Sequence, residues 1–296
     1  MLPRPSIGIV IATRDRRERL CATLARVQAL PERPPVVVVD DGSSDGTPDA
    51  VERRFPDVEV ARLPRPHGAA ARNAGVERLD TPYVAFSDDD SWWAPGALRR
   101  AVEVLEVHPR VAVLAARVLV GEEERLDPTC AAMASSPLAG APGGPGRAVL
   151  GFVACGAVVR REAFLEIGGF DGRYGVGGEE MRLAVQLASA GWELRYVPDV
   201  VAHHHPGTAS PRPGRRARAL RNDLWTTWSS RPRRTAIRAT ARLVRAAGWR
   251  PATVVGLLAA LRGTPWVLRE RHVAPPAVES DLRRLESGPQ RGSRPA

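Results

Sequence analysis

Lysine is absent from this 296-residue chain, so all 43 basic residues are arginine. Any phosphate-binding loop that ends in lysine is therefore excluded. Cysteine is scarce: Cys21, Cys130 and Cys155 form no CxxC pair, and their number is odd. A disulfide framework is excluded, and a reducing cytoplasm is the expected setting. Long hydrophobic runs are also lacking. The apolar stretch Ile7–Ala12 is too short for a signal peptide, and Arg14 follows at once. Ala252–Leu261, the longest later stretch, falls short of the ~20 residues that span a bilayer.

What remains is ample for a folded core. Hydrophobic residues make up 44% of the chain, too many for a disordered one. The net charge of +10 is unevenly distributed. Residues 1–210 carry 24 Arg and 28 acids, for a net −4. Residues 211–296 carry 19 Arg and 5 acids, for a net +14. The basic character belongs to the C-terminal part and suits an acidic partner such as anionic lipid or nucleic acid.

Periodicity orders the first half of the chain. Ser6–Ala12 reads as a buried strand, Glu18–Leu30 as a helix, and Val36–Val39 as a strand covered on both faces. Pro48–Arg54, Val58–Leu63, Ala69–Arg78 and Tyr83–Phe86 continue as helix, strand, helix and strand. That alternation predicts a Rossmann-like, mainly parallel sheet. Further on, Pro95–Val107 and Glu179–Ala190 read as helices, and Val111–Val120, Gly151–Val159 and Arg195–Ala202 as strands. Pro137–Arg147 is a Gly/Pro-rich loop and 206–216 a linker. Helical patterns at Arg218–Trp228, Thr235–Ala247 and Thr253–Leu261 follow, with a frayed end over the final ~20 residues.

Polar residues cluster where strands end, which is where open α/β sheets bind ligands. Thr13, Arg14 and Asp15 follow the first strand, although Asp15 could equally cap the next helix. Asp40 and Asp41 close the valine run and can accept hydrogen bonds from a base or ribose, while Ser44 or Asp45 suits a helix cap. Asp88, Asp89 and Asp90 repel one another unless a cation or solvent screens them. Extended chain puts Asp88 and Asp90 on one side, which suits a hard divalent cation, and Trp92 and Trp93 anchor the segment. Arg72 leads a helix from small residues and could meet a diphosphate or simply face solvent. Glu179 and Glu180 open a helix behind Gly177-Gly178, either as a general base or as dipole stabilisers. In His203-His204-His205, strand alternation puts His203 and His205 on one face, and one could complete a metal site with Asp90.

Taken in order, IVIATRDR, VVVVDDGSSDGT, GAAARNAG, YVAFSDDD, FLEIGGFDGRYGVGGEE and YVPDVVAHHH resemble the family 2 glycosyltransferases. The resemblance runs from about Ile7 to His205, with a weaker echo at Arg221-Asn222-Asp223-Leu224-Trp225. It implies the GT-A fold over residues 1–210, with a nucleotide-sugar half at about 1–93 and an acceptor half at about 94–210, followed by an Arg-rich helical extension at 211–296. Thr13, Arg14, Asp15, Asp40, Asp41, Arg72, Asp88 and Asp89 would bind the nucleoside-diphosphate sugar. Asp90, Asp88 and His203 would hold Mn²⁺ or Mg²⁺. Glu180, with Glu179 beside it, would take the proton of a hydroxyl acceptor on a glycan or lipid, and transfer would invert the anomeric centre. The loop 137–147 would fold over the donor. In this family the pair is usually Glu-Asp, so Glu180 stands at the Asp position, and Gly156 stands where many relatives have Asn.

The C-terminal helices carry Arg with Trp225, Trp228, Trp249 and Trp266, a composition suited to an anionic membrane surface or to packing on the catalytic part. Peripheral contact with the inner face of the cell membrane is expected, and nucleic acid is not, because residues 1–210 are acidic. The alternatives are a catalytically degenerate homologue, a basic nucleic-acid- or membrane-binding protein, and a nucleotidyltransferase, whose lysine-ending loop is absent.

Overall fold

The computed structural model describes residues 6–207 and 214–287. The middle of the expected linker, 208–213, and the end of the expected frayed tail, 288–296, lie outside the described residues.

The β-branched runs form the centre of one mixed sheet. β1 (Ile7–Thr13) lies between β2 (Val36–Asp40) and β4 (Tyr83–Asp88), with β3 (Glu59–Arg62) beyond β2, all parallel. α1 (Arg17–Gln28), α2 (Thr47–Arg54) and α3 (Ala71–Arg78) are the crossovers that parallel strands require. Past β4 the sheet turns antiparallel through β9 (Ala157–Arg160), which separates β4 from β6 (Val111–Val120). β10 (Glu193–His204) runs parallel to β6 and antiparallel to the short edge strand β5 (Ser91–Trp93). β7 (Arg125–Leu126) and β8 (Arg147–Ala148) pair with β6 and β10.

Two apolar layers cover the sheet. Leu20, Leu24 and Val27 of α1 pack on one face with Leu98, Ala101 and Leu105 of α4 (Ala97–Val107). On the other face, Phe164 of α6 (Arg161–Glu166) and Leu183 and Leu187 of α7 (Glu179–Ser189) join Phe86 and Phe170. α5 (Pro128–Ala134) adds Cys130 and Met133 to this layer; its start is set by Asp127, which accepts a hydrogen bond from the Thr129 amide.

Several boundaries depart from the sequence reading. Within Gly151–Val159 the strand begins only at Ala157, after a 3-10 turn at Ala154–Gly156. The loop 137–147 is not free to cover a donor. β8 pairs with β10, and Arg195 donates to the Ala141 carbonyl at 3.2 Å, which ties the loop to the sheet.

The C-terminal part is more ordered than its composition implies. α8 (Arg215–Ser230), α9 (Arg233–Ala247) and α10 (Pro251–Arg269) form a helical layer, and Tyr174, Trp225 and Trp266 meet edge to face within it. α10 runs past Arg262, because Gly263–Leu268 continues the apolar pattern, and its 19 residues are long and apolar enough to cross a membrane. Its packed side is made of small residues: a Cβ at Gly263 would lie 2.5 Å from the Trp225 indole, so α10 lies close against α8. The expected frayed end is instead a helix, α11 (Pro276–Ser287). Val278 and Leu282 recur at one-turn spacing and dock beside Val185 and Met181 of α7. Arg231 reaches α11 from the end of α8, binding Glu279 at 3.0 Å through both Nε and Nη2 and pairing also with Glu286. Arg231 and Glu279 are 4% and 5% exposed, so each needs the other's charge. Arg231→Ala should therefore cost about 3 kcal/mol, as removal of one partner of a buried ion pair does, read as a lower urea midpoint. An unchanged midpoint would mean that α11 docking adds nothing to stability.

Candidate active site

Strand register assembles the site. Thr13 is the register partner of Asp40, and Ala12 that of Asp88, so the ends of β1, β2 and β4 lie abreast at one sheet edge. Asp40 is 3% exposed and accepts from the Ser43 amide through Oδ2, while its Oδ1 is buried without a hydrogen-bond partner. Arg72, at the start of α3, is likewise buried; it pairs with Asp88 through Nη2, and its Nε, like Asp40 Oδ1, has no partner among the described residues. An orphaned acceptor and an orphaned donor at one strand edge are an arrangement that a polar ligand would complete.

Other acids hold the frame. Asp41 accepts from the amides of His67 (2.7 Å) and Gly68 (2.9 Å), fixing the loop before α3. Asp15 does not cap α1; its backbone is left-handed (φ 52°), and its carboxylate holds Ser44 through amide and hydroxyl. The cap comes from Asp45, which accepts from the amides of Arg17 in α1 and Thr47 in α2. Arg14 is exposed beside Asp15.

The three consecutive aspartates diverge. Asp89 turns inward, accepting from Thr13 Oγ1 at 3.0 Å, while Thr23 bonds its carbonyl. Burial, with Asp90 and Asp88 alongside, pushes the Asp89 carboxyl up to about 6. Asp90 faces the edge and binds Arg19 at 3.0 Å and His204 at 3.3 Å. Burial opposes its ionisation, but hydrogen bonds and charge interactions with His204 and Arg19 outweigh it and lower its pKa. Trp93 is fully buried, and Trp92 lies between Arg26 and the imidazoles of His203 and His205.

The histidine assignment therefore changes. β10 aims His204, not His203, at the acids. His203 stacks on Trp92 and pairs with Glu124 at 3.1 Å. Alternation does place His203 and His205 on one face, but that face packs on Trp92, and His204 between them is the one that meets Asp90. Donor atoms of Asp88, His204 and Cys155 all lie within 4.8 Å of one another. With Asp90 beside His204, oxygen and nitrogen donors suited to Mn²⁺ or Mg²⁺ converge there.

α7 brings the remaining acids. Gly177 and Gly178 have φ of 105° and 94°, which other residues adopt only with strain. Asn222 of α8 clamps this loop by donating to the carbonyls of Tyr174 (3.0 Å) and Gly177. Asn73 of α3 clasps Phe170 through both amide atoms, drawing the loop toward Arg72. Glu179 is 4% exposed and accepts from the Gly177 amide. Burial first, then the neighbouring Glu180, raises its carboxyl from 4.5 to about 7. Glu180 lines a cavity of about 180 Å³ with Met133, Leu150, Phe152, Met181 and Leu285. Gly156 has a steric cause: a Cβ there would lie 2.4 Å from Val118.

The sequence profile described as Glycosyl transferase family 2 matches residues 8–168. This chain belongs to glycosyltransferase family 2. The family 2 chain is 26% identical over 247 residues to the N-acetylglucosaminyl-diphospho-decaprenol L-rhamnosyltransferase of Mycobacterium tuberculosis, covering 70% of this chain and 78% of that one. It is 34% identical over 220 residues to the pre-mycofactocin glycosyltransferase of the same organism, covering 69% and 45%. The mannosyltransferase PcManGT from Pyrobaculum calidifontis, solved with GDP-Man and Mn²⁺, superposes with a TM-score of 0.60 at 21% identity, over 96% of this chain and 87% of that chain. The fold is of the GT-A type.

Sequence reasoning missed Arg19, Cys155 and Asn222. Only Asn222 carried a signal, in the echo around Arg221–Trp225. Glu179 gives a test with a definite sign. Its folded pKa is raised, so its contribution to stability is complete below pH 4.5 and lost as pH rises through about 7. Glu179→Gln removes that loss while keeping an acceptor for the Gly177 amide. Its melting temperature should exceed wild type by several degrees at pH 8 and match it near pH 5. An equal difference at both pH values would show that Glu179 ionises normally.

Proposed function

We propose that this enzyme is a metal-dependent, inverting transferase that moves a sugar from a nucleoside-diphosphate donor to a hydroxyl on a lipid-linked acceptor. The observation that carries the reading is the pair of buried, unpartnered atoms at the strand edge, Asp40 Oδ1 and Arg72 Nε. The first suits a base or ribose donor group and the second a diphosphate oxygen. Thr13 and Asp89 shape the nucleoside end. Asp88, Asp90 and His204 are the residues that would hold Mn²⁺ or Mg²⁺, and when bound it would draw charge from the departing diphosphate.

The chain's own groups supply the rest. Glu180 accepts the proton of the acceptor hydroxyl. The freed oxygen bonds to the anomeric carbon from the face opposite the diphosphate, and the bond to the diphosphate oxygen breaks with inversion. Arg72 is placed to balance the charge that this bond-breaking releases. The cavity beside Glu180 has Met, Leu and Phe walls, which suit an acceptor with an apolar portion. The two mycobacterial relatives support the reading at the level of sugar transfer, and the decaprenol-linked substrate named for one of them supports a lipid acceptor.

Placement at the inner face of the cell membrane is part of the proposal. Cys21, Cys130 and Cys155 are free thiols, which suits the cytoplasm. The outward side of α10 presents Val254, Leu258, Leu261 and Leu268, and Trp249 is 98% exposed in the preceding turn. Arg238 and Arg245 of α9, Arg250 in the turn and Arg262 of α10 are exposed as well. An exposed apolar face on basic helices fits anionic lipid.

Two measurements test the proposal. Thermal shift against UDP-, GDP- and dTDP-sugars should show stabilisation by one nucleotide series that requires Mn²⁺ and disappears in Asp90→Asn. Glu180→Gln should keep that shift while lowering kcat by about 10²–10⁴; no shift with any donor, or an unimpaired kcat, overturns the reading. In vesicle flotation, binding should require phosphatidylglycerol and weaken about tenfold in Trp249→Ser/Leu261→Gln. Equal binding to phosphatidylcholine vesicles, or none to either, removes the membrane part.

A further inference from the structure

Cys155 differs from the chain's other two thiols. Cys21 fills the apolar layer under α1. Cys130 accepts from the Val118 amide and donates to the Ala116 carbonyl. Cys155 is 3% exposed and sits in the turn Ala154–Gly156 at the acidic edge. Its Sγ shares a 4.8 Å neighbourhood with a carboxylate oxygen of Asp88 and a ring nitrogen of His204. Asp90 Oδ1 stands 3.3 Å from His204 Nε2, which orients the imidazole. A tetrahedral ion with metal–sulfur bonds near 2.3 Å and metal–nitrogen or –oxygen bonds near 2.0–2.2 Å needs its donors about 3.3–3.6 Å apart. The three donors of Asp88, Cys155 and His204 reach such separations by closing about 1 Å.

We propose that Cys155 is a sulfur ligand of this cation site, and that Asp88, Cys155 and His204 together bind Zn²⁺. The inference rests on the reading of this edge as the cation site. Sulfur is a soft donor: it adds little for Mn²⁺ or Mg²⁺ and much for Zn²⁺ or Co²⁺. On binding, the S–H bond breaks, the proton leaves to solvent and the sulfur electron pair bonds to the metal. The edge can thus hold a hard ion on oxygen and nitrogen, or a softer ion with sulfur added.

Titration of the metal-free full-length protein with Co²⁺, followed by absorption, tests this. Wild type should show tetrahedral ligand-field bands together with a thiolate-to-cobalt band in the near ultraviolet. Cys155→Ser should keep ligand-field absorption and lose the near-ultraviolet band. Zn²⁺ affinity, read by competition with a chelating dye, should fall about tenfold or more in that variant, and Mn²⁺ affinity by less than about twofold. Co²⁺ binding by wild type without the near-ultraviolet band, or the same band in Cys155→Ser, overturns the sulfur assignment and leaves the cation site standing. No Co²⁺ binding by wild type overturns both.

Discussion

Acidic side chains crowded at one sheet edge repel one another, and much of the structure around that edge offsets this repulsion. Arg72 is drawn onto Asp88, and Arg19 and His204 onto Asp90. Asp89 escapes the cluster by turning under β1, where Thr13 and Thr23 meet it. Asp41 and Asp45 are neutralised differently, by backbone amides that they fix in turn. Each acid is held by a partner from another part of the chain, so the fold brings separate segments together before any ligand arrives.

The edge and the C-terminal helices are joined through one loop. Tyr174 is fully buried under Trp225 and Trp266, and Asn222 grips the carbonyls on either side of the left-handed glycine turn. Arg173 reaches Glu270 at the end of α10, and Arg182 of α7 reaches Ser229 of α8. The helices that carry the exposed apolar face therefore also set where Glu179 and Glu180 stand. The start of α7 and the exposed face of α10 are thus tied by a single set of contacts.

Much of this was legible in the sequence. The valine runs and the small-residue lead into α3 announced parallel strands with polar ends, because burial on both faces leaves no other pattern. Asp40 and Asp88 stand at one edge because residues that terminate parallel strands in register must, and Arg72 joins them from the first turn of α3 by pairing with Asp88. The histidine was misread because alternation pairs His203 with His205 without saying which face meets the acids: theirs packs on Trp92, and His204 reaches Asp90. Arg19 looked like any charge on an amphipathic helix. The tail looked frayed because its cohesion comes from a buried ion pair between Arg231 and Glu279, 48 residues apart, which no local periodicity displays.

The contact between α8 and α10 constrains how this chain can vary. Gly263 and the Trp225 indole occupy one volume between them, and the Trp225 ring nitrogen donates to the Ala260 carbonyl, which fixes how the ring lies. A methyl at 263 and an indole at 225 are mutually exclusive. Substitution at either position opens a cavity or forces a clash unless the other changes too, so the two sites must drift through sequence space as a pair.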